Sequence, residues 1–548
     1  MKKNGKGLIF GAVVLTFAGI IAKAVGAVYK IPLTNILGSA GIGIYYLIFP
    51  IFSILLVICS SGVSIALIKC ISGVAGVDSK SENMYFISAL VLSTILSLIF
   101  ATIMICFCKE ISEAQGNING YLGYVFIAPA LVIASIIAII RAYFQGIENM
   151  IPTSVSIIIE QVAKTIAGLV LAKALYGFGI EYAVLGAVAG VSISELVALV
   201  IMIINYVTYQ KKLGQFRHVM LKERRNAFAG TQTKGKEKYR VCAGERVSFG
   251  QAMLKIIKAT IPNTLSQMIL PLCSAIDAYL VINLMVRGGI STMTATILYG
   301  INYGIVTTVL GMAMIVINGL STAIMPNISR LVSTNSDDVE DKCAFFIKIV
   351  WCLSVLMTLM FILFGRNIID ILYGSAMSDA VLNETAIAGS LMIVSSITII
   401  YYAMLSAFVT ILQSIGRFYT PACVMCVAIL ARVALLVVLC KNSRINILGG
   451  VIAHVAFLAV SASVCAYFVK KNIDLSFSKY RMMVVPIFAC VVSGGVGFLI
   501  KYCMRNVNTI IGVIIASVIT LMLYLFILIK LKCFNNKELK YVRIKKSH

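Results

Sequence analysis

Apolar runs of about 20 residues recur from one end of this 548-residue sequence to the other, and no other feature limits the fold as tightly. Each run is long enough to cross a hydrocarbon layer of ~30 Å as a helix rising about 1.5 Å per residue. Lipid offers the backbone no hydrogen-bond partners, so such runs close their own bonds as helices. The ten-residue alternation of a membrane barrel is absent. Charge agrees with this reading. Charged residues make up 12% of the chain, half of the roughly 25% that a soluble surface needs. The expected class is an all-α polytopic membrane protein, and a soluble enzyme is excluded.

Fourteen spans are expected, at about 8–29, 44–68, 84–107, 121–141, 152–173, 182–206, 254–286, 296–325, 343–365, 385–410, 418–440, 446–469, 480–501 and 508–531. Pro262 and Pro271 interrupt the seventh. The chain divides into a six-helix half (1–206), a basic loop (207–252), a second six-helix half (253–470), two further helices (471–531) and a basic tail (532–548). Lysine and arginine crowd one set of connections: Lys2, Lys3 and Lys6 at the start, Lys211, Lys212, Arg224 and Arg225 among others in the loop, and Lys545 and Lys546 in the tail. The opposite connections are poorer, with Arg366 set against Asp370, Asp379 and Glu384. The positive-inside rule then places both termini and the 207–252 loop in the cytoplasm. The formal charge of +25 meets anionic membrane lipid in this reading, not nucleic acid. Lys23 interrupts the first span, which reads as a retained helix and not a cleaved signal.

A repeat lies inside the chain. Gly43, Ile44, Tyr46 and Ile48 match Gly300, Ile301, Tyr303 and Ile305 at an offset of 257. In the same register Gly62, Ser64 and Ala66 meet Gly319, Ser321 and Ala323, and Ile71-Ser72 meets Ile328-Ser329. A weaker echo relates Phe144-Gln145-Gly146 with Pro152 to Leu412-Gln413-Ser414 with Pro421. Spans 1–6 thus pair with spans 7–12. Six is even, so both halves enter the membrane in one direction, related by an axis along its normal and enclosing a central cavity.

Charges inside spans are costly and mark sites. Lys23, Glu160, Lys164, Glu195, Asp277, Arg432 and His454 qualify. Lys164 follows Pro152 by twelve residues and Arg432 follows Pro421 by eleven, so the repeat sets a cation at similar depth in each half. Two facing cations, with Lys23 as a third, form an anion site suited to phosphate oxygens. Glu160 and Lys164, four apart, also have the spacing to neutralise each other. Asp277 either binds a coupling cation or proton, or pairs with a buried base. Lys30, Lys69 and Arg141 fall near span ends, where basic side chains snorkel to the interface. The 15 cysteines show no metal spacing and the histidines number three, so neither a metal nor a cofactor is expected.

The run Lys23-Ala-Val-Gly26-Ala-Val-Tyr29-Lys30-Ile-Pro32-Leu, followed by Leu37-Gly38 and Gly41-Ile-Gly-Ile-Tyr45, resembles the stage V sporulation protein B family. Arg141-Ala-Tyr143-Phe-Gln145-Gly146 with Asn149 and Pro152, Glu160-Gln161, Leu298-Tyr299-Gly300 and Gln413-Ser-Ile-Gly416-Arg417 extend the likeness over most of the chain. The resemblance implies the oligosaccharidyl-lipid flippase branch of the multidrug/oligosaccharidyl-lipid/polysaccharide (MOP) exporters, beside the MurJ-type lipid II flippases. It implies a fourteen-helix transporter in a bacterial cell membrane, working by alternating access in cell-wall or spore-cortex synthesis, near the cell-wall machinery. The cargo would be a polyprenyl-diphosphate-linked saccharide such as the peptidoglycan precursor lipid II. Its contacts would be Lys23, Lys164 and Arg432, with Arg141, Gln145 and Gln413 from the resembling motifs. Asp277 and Glu160 would serve as ion-coupling residues or charge partners. The sequence departs from MurJ-type members, which carry arginine at the position of Lys23, an Arg-Asp pair at Tyr29-Lys30 and arginine at Tyr303. No nucleotide-binding motif is present, so the drive would be a monovalent cation, a proton or the membrane potential. A drug/cation antiporter of the same superfamily and a non-transporting sporulation scaffold are the alternatives.

Overall fold

The computed structural model describes residues 5–74, 79–229, 248–333, 338–377, 382–417, 419–473, 480–504 and 509–534. The expected basic loop is therefore described only in part and the basic tail only at its start. Segments 230–247 and 535–548, with Lys2 and Lys3, lie outside the described residues.

The first half begins with α1 (Gly5–Leu56) and, after a π-helical turn, α2 (Gly62–Val74). It continues with α3 (Ser79–Cys106), the short α4 (Cys108–Ala114), α5 (Tyr121–Gly146), α6 (Ile151–Leu175) and α7 (Ile180–Ala229). The second half holds α8 (Phe249–Gln267), α9 (Ile269–Arg287), α10 (Thr292–Tyr299), α11 (Thr307–Ser333), α12 (Asp338–Tyr373), α13 (Glu384–Ser414), α14 (Tyr419–Cys440) and α15 (Ile447–Asn472). α16 (Val485–Cys503) and α17 (Thr509–Lys530) follow. Thirteen stretches of the described residues are long and apolar enough to cross a membrane. One of them, Val14–Val74, has 61 residues, about three times the length of one crossing. It turns at Gly38, whose φ of 67° and ψ of 179° only glycine adopts readily. That stretch has the length for two crossings, which gives fourteen among the described residues. The expected seventh span is two helices, α8 and α9, meeting at Met268, with Pro262 inside the first. Apolar side chains such as Val170, Met522 and Ile529 point outward, as a surface facing hydrocarbon requires.

The repeat is visible in the backbone. Gly43 on α1 and its counterpart Gly300 touch: a Cβ on Gly300 would sit 3.0 Å from the Gly43 Cα and clash with the carbonyl of Ser39. A Cβ on Gly43 would clash in turn with the carbonyl of Thr296, the residue 257 positions after Ser39. The two halves therefore cross about a local twofold axis. Gly62 and Gly319 extend the symmetry, each lying against the first crossing of the other half, through Thr264 of α8 and Ile20 of α1. The second echo is structural too. The turn after α5 bonds Glu148 N to Gln145 O at 3.0 Å and Asn149 N to Phe144 O at 2.9 Å. The turn after α13 repeats this with Gly416 to Gln413 at 3.0 Å and Arg417 to Leu412 at 2.9 Å. Glu148 and Gly416 both have positive φ, so each turn has the helix-ending geometry that usually calls for glycine.

One end of the bundle is fastened across the halves. Asn117 Nδ2 donates to Thr296 Oγ1 at 2.9 Å, Asn283 Nδ2 to the Ala114 carbonyl at 2.6 Å, and Asn35 Nδ2 to the Leu372 carbonyl at 3.1 Å. This is the end carrying the poorer-charged connections.

Candidate functional site

Tyr46, Phe49, Pro50 and Ser53 fall at i, i+3, i+4 and i+7 on α1, one face of a helix. That face lines a cavity of about 380 Å³, closed on the other side by Leu270, Pro271 and Ser274 of α9 and by Tyr299, Tyr303 and Thr307. The cavity thus lies between the halves. Tyr46 also bridges them, its hydroxyl sharing a 2.9 Å hydrogen bond with Thr308 Oγ1.

Two ammonium groups of the first half meet this wall. Lys30 Nζ lies 5.0 Å from the centre of the Tyr46 ring, and Lys164 Nζ lies 5.4 Å from that of Phe49. Lys30 is the largest charge acting on Lys164, ahead of Glu160 and Glu195. Their closeness follows from helix direction. α1 and α6 run parallel, with Gly26 against Gln161 and Gly168 against the Tyr29 hydroxyl, so Lys164 is level with Lys30. Lys23 sits about 10 Å further back along α1 and is exposed. Glu160 does not neutralise Lys164; it takes Arg141 instead. Arg141 Nη2 donates to Glu160 Oε2 at 2.7 Å and to Ser156 Oγ at 2.6 Å, because Ser156 and Glu160 share one face of α6. Three basic groups (Lys30, Lys164, Arg141) gather near two acidic ones (Glu160, Glu195), so the basic groups are in excess. Among the described residues neither lysine forms a salt bridge.

The second half holds a smaller cavity of about 270 Å³, adjoining the first at Leu270, Ser274, Tyr303 and Thr307. Here the cation is enclosed. Arg432 on α14 grips Asp277 on α9 through both its Nε, 3.1 Å from Oδ1, and its Nη2, bonded to Oδ2. Its Nη1 lies 2.8 Å from His454 Nδ1 on α15, and its guanidinium carbon lies 5.5 Å from the Phe457 ring centre. Arg432 is 3% exposed and Asp277 2%. The cluster is neutral, so the expected pair of facing cations, Lys164 and Arg432, is not what the geometry offers. The lysines stand together in one half, and Arg432 spends its fork on a carboxylate.

The other expected contacts lie elsewhere. Gln145 and Gln413 occupy equivalent turns at the ends of α5 and α13, away from both cavities. Arg141 does not reach the interface; it is half-buried against α6. Lys69 is exposed near the end of α2. The residue that sequence reasoning passed over is Lys30. It was set at a span end, but α1 stays helical as far as Gly38, two turns beyond it. Two signals point to it: the seven-residue spacing from Lys23, and the glycine that marks the true turn.

The family described as "Polysaccharide biosynthesis protein" matches residues 8–332. The chain belongs to that family. It is 22% identical over 541 residues to the stage V sporulation protein B of Bacillus subtilis (strain 168), covering 97% of both chains. It is 27% identical over 235 residues to the lipid II flippase MurJ of the same organism, covering 39% of this chain and 41% of that one. Among solved structures, the lipid II flippase MurJ in an inward closed conformation matches with a TM-score of 0.69 at 11% identity, over 95% of this chain and 99% of that one. An inward-facing multidrug resistance MATE transporter of the MOP superfamily matches with a TM-score of 0.62 at 12% identity, over 82% and 94%. The fold is that of the MurJ flippase and the MATE transporters, and the chain is a multi-pass membrane protein.

Proposed function

We propose that this family member flips a polyprenyl-diphosphate-linked saccharide, with lipid II as its leading cargo, across a bacterial cell membrane by alternating access. The observation that carries the reading is the pair Lys30 and Lys164, two ammonium groups that form no salt bridge among the described residues and lie over aromatic rings at the wall of the cavity between the halves. A diphosphate needs at least two cations close together, and ammonium groups on flexible stems follow it as the cavity changes shape. The saccharide would occupy the cavity beside Tyr46 and Ser53, while the prenyl chain stays in lipid. Lys23 would meet the head group on its way in, and Arg432 would contribute only where a phosphate displaces Asp277. With both termini cytoplasmic, as the lysine-rich connections favour, the asparagine-fastened end faces outward and the state described is closed to the outside. Anionic lipid would hold the basic connections.

The test is translocation of lipid II in proteoliposomes by the full chain, compared with Lys30→Gln and Lys164→Gln. Transport that falls at least tenfold in both variants supports the site. If the chain moves other lipid-linked glycans but not lipid II, the head group is wrong. If it moves cationic drugs and no lipid, the antiporter reading replaces this one.

A further inference from the structure

A carboxylate buried among helices in lipid must be paired with a cation or neutralised. Transporters that couple to ion gradients use this need, because a cation arriving at and leaving such a carboxylate changes how the helices around it pack. Asp277 has the surroundings of a cation site. Its cavity is lined by oxygen-bearing side chains, Asn302, Tyr303, Thr307, Ser395, Thr398 and Tyr402, and Ser395 Oγ is buried with no hydrogen-bond partner. Yet both carboxylate oxygens are bonded by Arg432, whose third nitrogen reaches His454. An arginine keeps its charge at any physiological pH. Attached to α14, it cannot leave with the cargo.

We propose that Arg432 is a tethered counter-cation that takes the seat of an exchangeable coupling ion at Asp277, locking α9, α14 and α15 together and making this half indifferent to monovalent cations. The proposal needs the transporter fold and not the identity of the cargo, so its test reads ion binding and not flipping.

The full chain, purified in lipid nanodiscs, is unfolded thermally in sodium, lithium, potassium or choline chloride at matched ionic strength. The wild type is expected to melt at one temperature in all four salts. Arg432→Ala is expected to melt lower in choline and to recover by several degrees, saturably, in one or more of the small alkali cations or in millimolar methylguanidinium. Asp277→Asn combined with Arg432→Ala is expected to lose that response. If Arg432→Ala yields no folded protein, Arg432→Met keeps most of the side-chain volume and carries the same expectations. A wild type stabilised saturably by one alkali cation, with the effect abolished in Asp277→Asn, would overturn the proposal. So would an arginine-less variant that melts alike in every salt and ignores methylguanidinium.

Discussion

In the first half, Lys30 and Lys164 hold their charges over Tyr46 and Phe49 at the cavity wall; in the second, Arg432 is enclosed by Asp277, His454 and Phe457. The backbones are related closely enough that Gly43 and Gly300 meet across a local axis, and the turns ending α5 and α13 share their hydrogen bonds. Charge breaks what the backbone keeps. A cation with its partner built in stabilises the half that owns it, whereas a cation without one raises that half's energy until a ligand arrives. Duplication has supplied two frames: in one the cation holds shape, and in the other, on the function proposed above, it holds cargo.

The sharpest way to break this contrast is at Asp277. Asp277→Ala strands a buried guanidinium and is expected to cost about 3–5 kcal/mol, while Asp277→Leu with Arg432→Leu recovers most of it; unfolding midpoints in detergent decide. A single variant as stable as the wild type would mean the pair is not structural. In the first half the expectation reverses. Lys30→Gln or Lys164→Gln leaves the midpoint unchanged or higher, yet lowers transport about 10–100-fold, the worth of one charge-assisted hydrogen bond to phosphate. Loss of stability without loss of transport would remove the distinction. At the fastened end, Asn117→Ala removes a bond between the halves worth about 1 kcal/mol. Hydrogen exchange in 114–120 and 292–299 should quicken about fivefold, and an unchanged rate would show that Asn283 and Asn35 hold this end alone. The smallest effect is expected at the equivalent turns. Gly416→Asn should cost under about 0.5 kcal/mol, since asparagine tolerates positive φ and Glu148 already occupies the matching position. A larger loss by thermal unfolding would show that the turns differ.

What could be read in advance follows from the range of the forces. Spans are local: hydrocarbon dictates some twenty apolar residues wherever the chain crosses. Fourteen crossings were expected, and the described residues hold thirteen stretches able to cross, the first of them long enough for two and turned at Gly38. The repeat was legible because close backbone contact demands glycine, so Gly43, Gly62, Gly300 and Gly319 kept their register. The charges were harder. Asp277 and Arg432 are 155 residues apart, and nothing in either neighbourhood announces the other. Glu160 had Lys164 at the right spacing on its own helix, but rotation of α6 turned it to Arg141 on α5. Lys30 outranked Lys23 only once the parallel alignment of α1 with α6 set the level of Lys164.

The contact between Gly43 and Gly300 has a mechanical consequence. Two rods that touch backbone to backbone, each notched against a carbonyl of the other, resist sliding but offer no side chain to block rolling. The crossing lies at the asparagine-fastened end itself, since Thr296 both touches Gly43 and accepts from Asn117. It therefore acts as a hinge there: a small roll at the crossing becomes a wide swing at the far end, with the arm set by the length of the helices. Filling the notch with even one methyl group would move the pivot and so change the stroke.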